Sequence, residues 1–118
     1  MIRVKRLYKS FTYAFRGLVK TYKEEQNLHI QSFVGLVVII LAIVLKLDRI
    51  ELSIIIFLIG LVVLMEFANS AVERIADVLK PRLNNYVKEI KDIMAAAVLL
   101  AAMVSAIIGI LIFWPYIF

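Results

Sequence analysis

Cysteine is absent from the 118 residues, and proline (2), glycine (4) and histidine (1) are scarce. The lack of cysteine excludes a scaffold built on disulfides and any metal site built on thiolates. The four glycines, at positions 17, 35, 60 and 109, do not form a Gly-x-x-x-x-Gly-Lys loop. A nucleotide-binding site of the P-loop type is therefore excluded.

Charged residues are missing from long stretches of the chain. The sequence is 64% hydrophobic, with a mean hydropathy of +0.95. A soluble domain is usually about 45–50% apolar, so the composition predicts an integral membrane protein. The length predicts one domain, over residues 1–118.

The apolar stretches predict three transmembrane helices, over residues 26–46, 52–79 and 93–114. About 20 apolar residues suffice to cross a bilayer. The second helix carries a cytoplasmic extension and ends before Pro81, which disfavours a continuing helix. The predicted fold class is an all-α membrane protein with three transmembrane helices and one N-terminal surface helix.

The surface helix is predicted over residues 1–23. This segment holds seven basic residues and no acidic one, and its apolar residues recur at helical spacing. Such a pattern is typical of an amphipathic helix on an anionic membrane surface. A nucleic-acid-binding arm would be basic but would not need the apolar face, so nucleic acid is not an expected partner. Nor does a secretory signal's apolar core follow the charges.

The distribution of positive charge predicts the topology. The basic N-terminal helix and the basic connection 80–92 lie on one side of the membrane, and the charge-balanced turn 46–51 lies on the other. The positive-inside rule places the first side in the cytoplasm. Trp114, Tyr116 and Phe118 fall at the opposite interface, where an aromatic belt is expected.

A polar stripe follows the apolar part of the second transmembrane helix. At about 100° per residue, its members fall within roughly 100° of arc: Glu66, Asn69, Ser70, Glu73 and Asp77. Residues 52–65 span only about 21 Å, short of a hydrocarbon core of about 30 Å, so the helix must carry Glu66 below the surface. Ionisable groups at that depth indicate function. The alternative is a helix that leaves the membrane near Glu66 with a solvated acidic face.

The residue types along this stripe suit phosphoryl transfer to a lipid hydroxyl. Glu25 and Glu73, from different helices, are the kind of carboxylate pair that holds a Mg²⁺ ion on nucleotide phosphates. Lys91 suits phosphate charge, and the deeper Glu66 suits a general base. Two alternatives remain open at this point. The acids could form a proton or cation pathway, or the protein could be a scaffold that packs through small residues, at positions 97, 101, 105 and 109.

Four separated motifs resemble those of the small bacterial lipid kinases, the diacylglycerol and undecaprenol kinases. Residues 66–77 resemble the family signature Glu-x-x-Asn-[Ser/Thr]-[Ala/Ser]-[aliphatic]-Glu-x-x-x-Asp. The other three motifs are Tyr13-x-x-x-Gly17-Leu18, Glu25 before the first span, and Lys91-Asp92 followed by residues 95–99. The resemblance covers nearly the whole chain.

The resemblance implies a homotrimer with composite active sites between subunits, Mg-ATP as phosphoryl donor and a membrane lipid as acceptor. It makes Glu66 the catalytic base and gives the Mg²⁺ ion to Glu25 and Glu73. It also implies a set of nucleotide contacts, at Arg6, Tyr13, Glu25, Asn69, Glu73, Lys91 and Asp92, with Ser70 and Asp77 in supporting roles. The loop around Arg82 to Asn84 departs from the family pattern because it lacks the usual histidine.

The choice of lipid depends on two short segments. Residues 24–30 and 47–51 look like the undecaprenol kinase branch, so undecaprenol is the expected acceptor and diacylglycerol the alternative. Gln31 and Ser32 are expected to form hydrogen bonds between helices rather than to bind substrate, and His29 is expected to be structural. For Asp77, positioning of Lys91 is an alternative to a direct role.

Overall fold

The computed structural model describes residues 3–82 and 84–118, and within them the chain forms four helices and no strand. They are α1 (Val4–Glu24), α2 (Gln26–Val44), α3 (Arg49–Leu79) and α4 (Asn84–Ile117). Three of them, α2, α3 and α4, are long and apolar enough to cross a membrane. The predicted all-α membrane fold is confirmed.

Helix α1 is amphipathic and contributes no buried residue. Its apolar side chains are exposed, among them Leu7, Phe11 and Phe15, as expected of a helix whose apolar face meets lipid. The helix ends at Glu24, and Glu25 adopts an extended conformation (φ −101°, ψ 110°) before α2 begins at Gln26. One non-helical residue therefore forms the corner between the surface helix and the first transmembrane helix.

The connection between α2 and α3 is a tight turn with a defined helix start. Lys46 has a positive φ of 58°. The Asp48 carboxylate accepts a hydrogen bond from the Glu51 amide at 2.8 Å, and the Glu51 carboxylate accepts one from the Asp48 amide at 3.4 Å. This capping box satisfies amides that the first turn leaves free. It explains why α3 begins at Arg49, ahead of the apolar run that starts at Leu52.

Helix α3 is central and packs against both α2 and α4. The fully buried apolar residues come from all three transmembrane helices: Leu28, Ala42, Ile55, Leu58, Ala76 and Val87. Most other apolar side chains on α2, α3 and α4 are exposed in the single chain, among them Phe33, Phe57 and Leu100. Outward-facing apolar surface of this kind is what a lipid environment requires.

Gly35 marks a close approach of α2 to α3. A Cβ atom at this position would lie 2.9 Å from Cγ2 of Ile59, whereas one at Gly60 would meet nothing within 4 Å. We expect Gly35→Ala to destabilise the protein in detergent by about 1–3 kcal/mol through overpacking. Gly60→Ala is the matched control and should be neutral or stabilising, because alanine favours a helix over glycine by about 1 kcal/mol. Thermal unfolding followed by circular dichroism compares the two, and equal midpoints would contradict the close approach.

Helix α4 starts earlier than the apolar pattern predicts. It begins at Asn84, so residues 84–92, which were assigned to a connection, continue the helix. At its other end the helix runs through Pro115 to Ile117. There the Tyr116 hydroxyl donates a hydrogen bond to the Glu51 carboxylate. The centroids of the Trp114 and Phe118 rings lie 4.5 Å apart. The far end of α4 is thereby tied to the start of α3.

Candidate active site

Glu66 lies in the interior of the helix packing, although it is a carboxylate. Its exposed fraction is 3%, and that of Ser70, one turn further along α3, is 2%. Among residues 3–82 and 84–118, these two are the fully buried polar side chains. Burying a carboxylate costs free energy unless hydrogen bonds compensate for the lost water. A position so costly indicates a functional role for Glu66.

A hydrogen bond from α2 compensates in part for the burial of the Glu66 carboxylate. Gln31 Nε2 donates a hydrogen bond to Glu66 Oε1 at 3.2 Å, which confirms the prediction that Gln31 bonds between helices. The other carboxylate oxygen, Oε2, is buried without a hydrogen-bond partner, and so is Oε1 of Gln31. One oxygen of Glu66 is therefore held and the other is free to accept a proton.

The corner at Glu25 is attached to the same face of α3. The Ser70 hydroxyl donates to Glu25 Oε1 at 2.5 Å, so two residues of the predicted site meet. One turn further along, Arg74 forms an ion pair with Glu24 in which both side chains are about half exposed. Glu66, Ser70 and Arg74 thus contact α2, the corner and the end of α1 in that order.

The polar residues of α3 form two columns, one of Glu66, Ser70 and Arg74 and a neighbouring one of Asn69, Glu73 and Asp77. The second column faces outward. Asn69 Nδ2 donates to Glu73 Oε1 at 3.5 Å. Lys91 Nζ donates to Asp77 Oδ1 at 2.8 Å, which links α4 to α3 and agrees with a positioning role for Asp77. Glu73 and Asp77 are exposed in the single chain. This column presents a carboxylate, an amide and a lysine to a ligand or to another subunit.

Electrostatic proximity joins the two columns. Glu25 and Glu73 both lie near enough to Glu66 for their charges to interact with it, and Glu73 also interacts with Lys91. Three predicted carboxylates and the predicted lysine therefore occupy one region at the ends of α2, α3 and α4. Their roles in a site remain predictions.

Other predicted site residues stand apart within the single chain. Across residues 3–82 and 84–118, no side-chain hydrogen bond or ion pair joins Arg6, Tyr13 or Asp92 to α3. All three side chains are exposed, and the guanidinium carbon of Arg16 lies over the Tyr13 ring, 5.8 Å from its centroid. The loop around Arg82 to Asn84, which departs from the family pattern, includes Leu83, which lies outside the described residues. The roles of Arg6, Tyr13 and Asp92 remain predictions.

The carboxylates fit a Mg²⁺ ion only in the company of a nucleotide. In the described part of the chain, no group of three or more aspartate, glutamate or histidine side chains is arranged to hold a metal by itself. Mg²⁺ commonly takes one or two protein carboxylates together with phosphate and water oxygens. Glu25 and Glu73, which both lie near Glu66, are carboxylates of the kind that such an incomplete set requires.

An apolar cavity of about 560 Å³ borders Gln31, the residue that donates a hydrogen bond to the buried carboxylate. It lies among α2, α3 and α4, and its walls include Val34, Val62, Ala106 and Phe113, with Gln31 and Ser105 as the polar members. Gln31 therefore contacts both the cavity and Glu66. The sequence does not predict this cavity, because helix periodicity does not indicate where packed helices leave space.

The Glu24–Arg74 contact was not among the predicted contacts either. A signal for Arg74 exists in the sequence, since positions 66, 70 and 74 repeat at intervals of four and share one helical face. No comparable signal exists for Glu24, because its contact is with a residue fifty positions away.

A buried carboxylate whose partner Gln31 lines an apolar cavity, with acids and a lysine gathered at the helix ends, fits one class of protein: a small membrane kinase that acts on lipid. Residues 12–113 match the family described as prokaryotic diacylglycerol kinase, and the chain belongs to this family. The family decides against the ion-pathway and scaffold alternatives. It confirms the predicted lipid kinase, and with it a nucleotide-dependent reaction.

Three relatives show the range of the family. The chain is 36% identical to the undecaprenol kinase of Bacillus subtilis over 110 residues, which is 93% of this chain and 89% of the relative. It is 34% identical to a diacylglycerol kinase of Synechocystis over 85% of the chain and 58% of that longer protein. It is 27% identical to the diacylglycerol kinase of Escherichia coli K12 over 94% of the chain and 91% of the relative.

Proposed function

We propose that the protein transfers the γ-phosphoryl group of Mg-ATP to undecaprenol, giving undecaprenyl phosphate and ADP. The observation that carries the proposed chemistry is the buried Glu66, with one oxygen bonded to Gln31 and the other without a partner. The undecaprenol preference rests on the 36% identity to an undecaprenol kinase that aligns along nearly its full length. Diacylglycerol is the second candidate, because the other relatives carry that activity in their names.

In the proposed mechanism, Glu66 accepts the proton of the lipid hydroxyl as the oxygen attacks the γ-phosphorus. A bond forms between these two atoms while the bond from the γ-phosphorus to the bridging oxygen of ADP breaks. Glu25 and Glu73 would hold Mg²⁺, which when bound offsets the negative charge of the phosphate oxygens. Asn69, Lys91 and Asp92 would line the nucleotide site, with Arg6 and Tyr13 as further contacts.

The supporting contacts give the other two residues their roles. Ser70 would hold Glu25 through the 2.5 Å hydrogen bond, and Asp77 would hold Lys91 through the 2.8 Å hydrogen bond. Both contacts link residues of different elements, so they fix the relative positions of groups that must meet one ligand. Side chains held in this way lose less entropy when the ligand binds.

We also propose a homotrimer in the bacterial cytoplasmic membrane, with the N-terminus and the active site on the cytoplasmic side. The exposed column of Glu73 and Asp77 supports an oligomer, because a second subunit would cover it and complete the site. The basic charge of residues 1–23 and of residues 80–92, which include the start of α4, supports the orientation. Chemical cross-linking in detergent, followed by native mass spectrometry, tests the subunit number.

The experiment that tests the reaction measures the transfer of labelled γ-phosphate from Mg-ATP by detergent-purified protein. Undecaprenol and diacylglycerol are offered in parallel, with Glu66→Gln as the inactive control. Label mainly in undecaprenyl phosphate supports the proposal. Label mainly in phosphatidic acid keeps the mechanism and replaces the acceptor, whereas label in neither lipid overturns the proposed function.

Ser70→Ala tests the link between the helix corner and Mg-ATP. We expect the Mg-ATP concentration at half-saturation to rise about 10- to 100-fold, because a hydrogen bond to a charged group contributes about 1.5–3 kcal/mol. Maximal turnover should change little, since Glu66 is untouched. Ser53→Ala is the matched control on the same helix, where the Ser53 hydroxyl bonds only to the Arg49 carbonyl. Identical Mg-ATP dependence in the two variants would exclude the supporting role of Ser70.

A further inference from the structure

The side chain of Gln31 lies between the apolar cavity and the buried carboxylate. Its amide nitrogen donates to Oε1 of Glu66 at 3.2 Å, and the same residue forms part of the cavity wall. We propose that Gln31 is a positioning residue for Glu66. Gln31 holds Oε1 of the carboxylate, so that Oε2 faces the hydroxyl of the lipid. This inference rests on the proposed function and deepens it.

The chemistry of an amide suits this task. Glutamine donates a hydrogen bond without carrying a charge, whereas lysine or arginine would donate one and also neutralise the carboxylate. An uncharged donor fixes the orientation of Glu66 and leaves its negative charge available to attract a proton. Because Oε2 of Glu66 is buried and has no hydrogen-bond partner, the lipid hydroxyl is the donor that would complete the arrangement.

The backbone around Gln31 is itself held in place. Leu28 and Gly35 are both buried, and with Gln31 they occupy positions i, i+3 and i+7, which share one face of α2. Gly35 lies where α2 approaches Ile59 of α3 so closely that a Cβ atom would not fit. Two packed positions flanking Gln31 therefore fix the distance between its amide and α3. Because packing holds Gln31 in place, Gln31 can in turn hold Glu66 in place.

The test replaces Gln31 by methionine, which has similar length and no hydrogen-bond donor. We expect kcat for lipid phosphorylation to fall about 10- to 100-fold, because small misplacements of a catalytic group cost rate on this scale. The Mg-ATP concentration at half-saturation should stay within about twofold of the wild type, since no nucleotide contact is proposed for Gln31. Gln26→Met is the matched control, an exposed glutamine in the first turn of the same helix.

A second measurement separates positioning from a general structural role. When Glu66 is already glutamine, Gln31→Met should have no further effect on the residual rate, because the two residues act as one unit. Loss of Mg-ATP binding or a further loss of rate in that background would overturn the positioning role. Gln31→Leu repeats the test should the methionine variant fail to fold.

The two proposals fail in distinguishable ways. If the wild type labels a lipid and Gln31→Met keeps the wild-type kcat, the positioning role is excluded and the kinase reaction stands. If the wild type labels neither undecaprenol nor diacylglycerol, the proposed function is excluded and the role of Gln31 falls with it.

Discussion

Replacing Glu66 by glutamine is expected to reduce lipid phosphorylation by about 10²- to 10⁴-fold, the range that a general base contributes to catalysis. The substitution keeps the shape of the side chain but removes its negative charge and its ability to accept a proton. Binding of Mg-ATP should persist, because Glu66 is buried among the helices and has no proposed contact with the nucleotide. Label transfer measures the first effect, and titration calorimetry with Mg-ATP measures the second.

Glu89→Gln serves as the control for Glu66→Gln. Glu89 is an exposed acid in the first turns of α4 and takes no part in the hydrogen bonds of the stripe, so its replacement should leave both rate and binding unchanged. A Glu66→Gln enzyme that retains more than about a tenth of the wild-type rate would contradict the role of general base.

Replacing Glu73 by glutamine is expected to weaken Mg-ATP binding itself, by about 10- to 100-fold. Glu73 would contribute a negatively charged oxygen to Mg²⁺, and a neutral amide oxygen is a weaker ligand for this hard cation. The loss of one charge-assisted contact, of about 1.5–3 kcal/mol, corresponds to this change in affinity. Raising the Mg²⁺ concentration should recover part of the activity, which it should not do for Glu66→Gln.

Calorimetry of the Glu66 and Glu73 variants side by side tests the division of labour between the two acids. The structure gives them different surroundings: Glu66 is buried and bonded to Gln31, whereas Glu73 is exposed and bonded to Asn69. Equal affinities for Mg-ATP in both variants would show that burial does not separate their roles.

Much of the architecture can be predicted from the positions of uncharged segments in the sequence. The three transmembrane helices follow from uncharged runs long enough to cross a bilayer, and the polar stripe of α3 follows from helical periodicity. The proximity of Glu25, Glu66 and Glu73 follows from topology, because it places the relevant helix ends on one side of the membrane. The capping signal of Asp48 and Glu51 was present in the sequence and gives the start of α3.

What the sequence did not predict depends on interactions without a local pattern. Residues 84–92 are mostly polar, so hydropathy assigned them to a connection, although lysine, glutamate and isoleucine there are compatible with a helix. The Glu24–Arg74 pair and the Tyr116–Glu51 contact each join distant parts of the chain. They depend on crossing angles between helices, which periodicity along one helix does not specify.

The single extended residue at Glu25 limits which insertions and deletions the chain can tolerate before it. Because α1 and α2 are joined by one residue, the rotational phase of the surface helix is coupled to that of the first transmembrane helix. Inserting one residue in α1 would turn everything before the insertion by about 100° and would lift its apolar stripe away from the lipid. The same insertion would also move Arg6 and Tyr13 off their present face. Insertions and deletions should therefore be far less tolerated between residues 4 and 25 than in a connection that does not set a helix's rotation.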